Sequence, residues 1–133
     1  LQTELKRPDI HIVTTSREIV GSPVSNGVTY LSERFYAANP KLVKAVYDGV
    51  VQANALINRD PKEAARIYLE VSGEKTPPAE IEAIITLPGT VYDVAPHGVL
   101  AVAKFLNRTG FLPAAPNGWK ELFLPFVHGE DGS

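Results

Sequence analysis

The 133-residue chain contains no cysteine and no methionine. Without cysteine it can form no disulfide, no thiolate metal site and no cysteine nucleophile. That absence does not distinguish an oxidising compartment from a reducing one. The lack of methionine extends to position 1, which is Leu1. A translated chain begins with methionine, so Leu1 is expected to follow a processing or boundary point, or to lie inside a longer protein. Residues 1–13 lack the succession of charged, apolar and small residues of a secretory leader, so the chain reads as a fragment taken from mid-protein.

Other absences narrow the chemistry. No apolar run approaches the ~20 residues that span a bilayer. A net charge of −2 gives no electrostatic reason to expect nucleic acid or an anionic membrane as partner. The three histidines, His11, His97 and His128, have no ligand-like neighbour three or four residues away, so no metal site and no cofactor is expected. His11 reads as a structural histidine in a strand. There is no G-x-S-x-G elbow and no phosphate-cradling glycine loop, and Glu80 and Glu82 read as solvated helix carboxylates. No catalytic residue is proposed, and the chain is not expected to be an enzyme.

What is present is 44% hydrophobic and 21% charged, ordinary for a globular domain with a real core. The β-branched run at 10–15 predicts one strand, and 28–31 predicts a second. Between them lies a turn rich in glycine and proline, 21–27. Ser32 is a candidate cap for a short helix over 33–38.

Two helices then open on a capping residue followed by proline, Asn39-Pro40 and Asp60-Pro61. The first is predicted over 40–58, burying Val43, Val46, Tyr47, Val50, Ala53 and Ile57 as one stripe, with Lys41, Lys44, Asp48, Gln52 and Arg59 opposite. The second starts at Asp60, with Glu63 completing a capping box, buries Ala64, Ile67, Tyr68 and Val71, and ends at Gly73. A third is expected from Thr76-Pro77 to Pro88-Gly89, with Ile81, Ile84 and Ile85 inward. A fourth runs from near Pro96 to Gly110, burying Val99, Val102, Ala103 and Leu106. Asn117 is a candidate cap for a short turn through Trp119, Leu122 and Phe123. Residues 128–133 read as a frayed, flexible tail. Two strands alone make a marginal sheet, so they are expected to join strands supplied from elsewhere.

One segment suits a ligand. Residues 21–27 (GSPVSNG) put two hydroxyls, an amide and free backbone N–H groups on a turn, a set suited to a small polar or anionic molecule. The same residues also satisfy an ordinary solvent-facing turn.

Four stretches carry a family resemblance. They are RPDIHIVTTSREIVGSPVSNGVTYLSERFYAANPKLVKA, ALINRDPKEAARIYLEVSGEK, YDVAPHGVLAVAKFLNRTG and GWKELFLPFVH, in that order over nearly the whole chain. Together they resemble the C-terminal part of ABC-importer solute-binding proteins of the nitrate/sulfonate/taurine and thiamine-precursor group. The resemblance implies a helix-rich α/β fold, part of a two-lobed type II periplasmic-binding-protein architecture, with this chain forming mostly one lobe and the hinge-proximal loop 21–27. It implies a small-molecule solute as ligand, ABC permease subunits of the inner membrane as partners, and a periplasmic or lipid-anchored location. A fragment of such a lobe is also expected to self-associate.

Carried over by position, Ser22, Ser25 and Asn26 are the ligand-binding candidates, with Tyr30 and Tyr92 as possible cleft aromatics, although aromatics at such positions more often belong to the core. Ser25-Asn26-Gly27 departs from the family, being more polar and flexible than its usual small-apolar stretch. Two alternatives stand beside this reading. One is a thiamine-pyrimidine synthase on the same fold, which depends on a cysteine motif this chain lacks. The other is a free-standing helical interaction module.

Overall fold

The computed structural model describes residues 7–133. The reading of the opening segment falls partly on 1–6, outside the described residues. Of those described, 54% are helical and none lies in a strand. Six α-helices follow in order: α1 (Ser16–Val20), α2 (Glu33–Ala38), α3 (Pro40–Arg59), α4 (Pro61–Ser72), α5 (Pro78–Ile85) and α6 (Val99–Arg108). Two 3₁₀ turns, Trp119–Leu122 and Pro125–Val127, come after them.

The two segments expected as strands, 10–15 and 28–31, are irregular, without a ladder among the described residues. A strand exists through the neighbour that accepts and donates its hydrogen bonds, and β-branched composition cannot supply one. The end of the first segment also has a competing local use. The Thr15 hydroxyl accepts from the Glu18 N–H at 3.2 Å, and the Glu18 carboxylate accepts from the Thr15 N–H at 2.7 Å. This reciprocal capping box starts α1, a helix absent from the sequence reading.

The chain divides into two compact units, one running through Tyr36 and resuming at Ala95–Ser133, the other Ala37–Val94. In the second, α4 packs against both α3 and α5. Its buried face is small, Ala64 and Ala65, which lets neighbouring helices approach closely. Val43 of α3 and Ile81 of α5 complete the buried set, each of a kind worth about 1.5–3 kcal/mol when removed from water.

The helix starts follow the expected chemistry unevenly. Asp60 accepts from the Glu63 N–H at 3.0 Å, as an N-cap should. Glu63 does not complete the box; its carboxylate is taken by Arg66, at 2.8 Å from both Nε and Nη2. Arg66 also reaches Glu70 at 2.7 Å, so an ion pair on the helix surface replaces the second half of the cap. Asn39 makes no side-chain cap bond to α3. α4 ends at Gly73, whose φ of +70° in open space is the left-handed stop that glycine allows. α5 begins after Pro77, one residue beyond the expected Thr76, and α6 begins after Gly98 rather than near Pro96.

The expected apolar stripes are only partly covered. Val46 is 54% exposed and Val50 43%, while Tyr68, Val71 and Val102 also face solvent. Among the described residues only Val43, Ala64, Ala65, Ile81, Ala103 and Val127 form a buried hydrophobic core, and the largest side chains are absent from it. The helices form; much of their apolar surface has no partner.

Candidate functional site

Within the first unit, three sequence-distant segments meet at the start of α6. Pro96 and Gly98 are buried there, and His97 between them is half-buried. On one side lies the 21–27 loop. The Ser25 N–H donates to the His97 carbonyl at 2.9 Å, and the His97 N–H donates to Ser25 Oγ at 3.0 Å. Gly98 closes the approach. Its φ is +66°, and a Cβ placed there would lie 2.8 Å from the Pro23 carbonyl oxygen and 3.2 Å from Val24 Cγ2. Only a residue without a side chain allows this loop to lie against α6.

On the other side lie residues 132–133. The Gly98 N–H donates to Ser133 Oγ at 2.9 Å, and the Val99 and Leu100 N–H groups donate to the Ser133 carbonyl oxygen at 2.8 and 3.3 Å. The Ser133 N–H returns a bond to the Pro96 carbonyl at 2.9 Å. Gly132 sits so close to Trp119 and Pro96 that an added Cβ would fall 2.7 Å from the indole. Of the tail 128–133, expected to be frayed, Ser133 is therefore held through its N–H, its carbonyl and its hydroxyl. The sequence reading missed this because, apart from the Ser133 hydroxyl, the anchoring groups are main-chain N–H and C=O, present at almost every position and specific to none.

Trp119 supports this end of the unit. It stands edge-on to Phe123 and to His128, with ring centroids 6.0 Å apart in each case. His128 Nε2 lies 2.9 Å from the Lys120 carbonyl and 2.8 Å from the Phe123 carbonyl. Two carbonyls can only accept, so the proton of His128 is on Nε2 and the ring ties down the 3₁₀ turn. Asn117 does not cap that turn by accepting. Its N–H and Nδ2 donate to the Glu121 carboxylate, at 3.2 and 3.0 Å.

The three ligand candidates separate here. Ser25 is half-buried and joined to α6, its hydroxyl accepting from His97 while its own proton is left to donate. Ser22 is half-buried with no hydrogen-bond partner among the described residues, and Asn26 is exposed and likewise unpartnered. Tyr30 is 91% exposed. Tyr92 belongs to the second unit, where it borders an open pocket of about 170 Å³ with Ile57, Pro61 and Leu87. The polar donor beside it, Asn58 Nδ2, is already committed to the Tyr92 carbonyl at 2.8 Å. His11 is exposed and not in a strand. Among the described residues no group of three or more His, Cys, Asp or Glu side chains is placed to hold a metal ion, and no helix is long and apolar enough to cross a membrane.

Chemically, the start of α6 offers neutral donors converging on oxygen. Three consecutive N–H groups carry the positive end of the helix dipole, and the Ser25 hydroxyl lies beside the same backbone. Such a set accommodates carboxylate, nitrate or sulfonate oxygens without a charged side chain. Compared with protein-family models, with curated proteins and with solved structures, the chain matches none.

Proposed function

We propose that this chain is the C-terminal part of the substrate-binding component of an ABC importer, capturing a small anionic or polar solute and delivering it to permease subunits of the inner membrane. The observation that carries the reading is the Ser25–His97 pair. It brings the loop named by the family resemblance to a helix start whose N–H donors, now taken by Ser133, are of a kind suited to an anion. In this reading the work is binding, with no covalent chemistry. The solute exchanges its water for fixed dipoles, and closure of two lobes around it stabilises the form that docks on the permease. Segments 10–15 and 28–31 are then strands of an α/β lobe whose neighbours come from the rest of a longer, periplasmic or lipid-anchored protein.

The sparse core supports an incomplete lobe over a free-standing helical module, because such a module would bury more than six hydrophobic side chains among the described residues. A thermal-shift panel of nitrate, taurine, an alkanesulfonate, an aromatic acid and a pyrimidine tests the function. Stabilisation by one or more anions that is lost in Ser25→Ala is expected. Stabilisation by none, or by all equally with chloride, contradicts it.

A further inference from the structure

The apolar surface of α3 is wider than its packing partner. Leu42, Val46, Gly49, Ala53 and Leu56 are spaced by four, three, four and three residues, the repeat of a helix-packing seam. Leu42 is 53% exposed and Val46 54%, Gly49 and Ala53 are exposed, and Leu56 is half-buried. The charged residues of α3, Lys41, Lys44, Asp48 and Arg59, all lie on the other side of the helix.

Gly49 is the informative member. It stands at the middle of the helix, where glycine costs about 0.5–1 kcal/mol against alanine. A Cβ there would meet nothing within 4 Å, so nothing among the described residues requires the glycine. A second helix crossing at that point would, since a missing side chain lets two backbones approach closely.

We propose that this face of α3 docks the same face of a second copy, antiparallel, with the two-fold axis passing beside Gly49. The seam is close to a palindrome about that residue: Leu42 meets Leu56 of the other copy, and Val46 meets Ala53. An uncharged seam favours an equally uncharged face, and α3 itself presents one. Antiparallel pairing sets each helix N-terminus beside a C-terminus, the favourable dipole arrangement.

Because the chain has no cysteine, single cysteines report the geometry directly. Sedimentation equilibrium of the 133-residue chain is expected to give twice 14.4 kDa, falling to the monomer on dilution. Val46→Lys is expected to be monomeric at concentrations where the parent is dimeric, with its helical circular dichroism retained. Under oxidation a mixture of the Val46→Cys and Ala53→Cys variants is expected to cross-link rapidly, because these two positions face each other across the seam. Leu42→Cys is expected not to, since its two copies would lie about 20 Å apart along the axis. A monomer at every concentration overturns the proposal, as does a Leu42→Cys variant that cross-links as fast as the mixture of Val46→Cys and Ala53→Cys. Neither readout depends on solute binding, so failure here is separable from failure of the functional reading.

Discussion

Ser25 and His97, 72 positions apart, hold each other by two backbone-anchored hydrogen bonds of 3.0 and 2.9 Å. One group in this pair is replaceable, the Ser25 hydroxyl. Ser25→Ala leaves the half-buried His97 N–H without its acceptor, an expected loss of about 1–2 kcal/mol. Asn26→Ala, at an exposed side chain with no partner among the described residues, is expected to stay within about 0.5 kcal/mol. Urea unfolding of both variants checks the contrast.

Two glycines with nearly the same φ should respond differently. Gly73→Ala meets open space at φ +70°, so only the left-handed backbone resists it, at about 1 kcal/mol. Gly98→Ala, at φ +66°, adds a clash with the Pro23 carbonyl. Its loss of stability should clearly exceed that of Gly73→Ala, and amide hydrogen exchange should rise at Ser25 and His97.

The cap of α4 rests on one oxygen of Asp60. Asp60→Ala is expected to cost about 1 kcal/mol and Asp60→Asn much less, since an amide oxygen still accepts from Glu63. Denaturant midpoints of the two variants distinguish a lost hydrogen bond from a lost charge.

The Thr15 N–H, and after it the Thr14 and Thr15 hydroxyls, hold the Glu18 carboxyl below its ordinary 4.5. A lowered carboxylate contributes stability that is present above its unfolded value and lost as pH falls through the folded one. The Glu18 carboxyl resonance should therefore titrate with a midpoint below 4.5, and α1 should fray only as the pH falls through that midpoint. A midpoint at or above 4.5 would show that the capping box does not form in solution.

Five of the six α-helices were legible in the sequence because their signals are local; α1 was not, its Thr15–Glu18 capping box lying in a β-branched run that reads as a strand. Asp60-Pro61, Gly73 and the three- and four-residue spacing of α3 each act within one or two turns. The strands predicted over 10–15 and 28–31 are not found among the described residues, because a strand exists only through a hydrogen-bonding partner and β-branched composition supplies none. Burial failed for a related reason. Periodicity identifies the apolar side of α3 correctly, but whether Val46 is covered depends on what lies opposite. At the candidate site, Ser25 could be named from its loop, whereas Ser133 and the Gly98–Leu100 donors could not, since their role is main-chain geometry.

Ser133 occupies the donors that an anion would use. If the start of α6 is the solute's oxygen site, removing residues 131–133 should strengthen binding of taurine or nitrate, not weaken it. Weaker binding in isothermal titration would mean that the tail is part of the site.

The most direct test of the functional reading is a residue-resolved amide NMR titration of the 133-residue chain with nitrate and with taurine, using chloride as the control. The account predicts weak, saturable shifts concentrated at Ser25, His97, Gly98, Val99 and Leu100, absent with chloride and abolished by Ser25→Ala. Shifts scattered over the surface, or none at these amides while the chain remains folded, would contradict it.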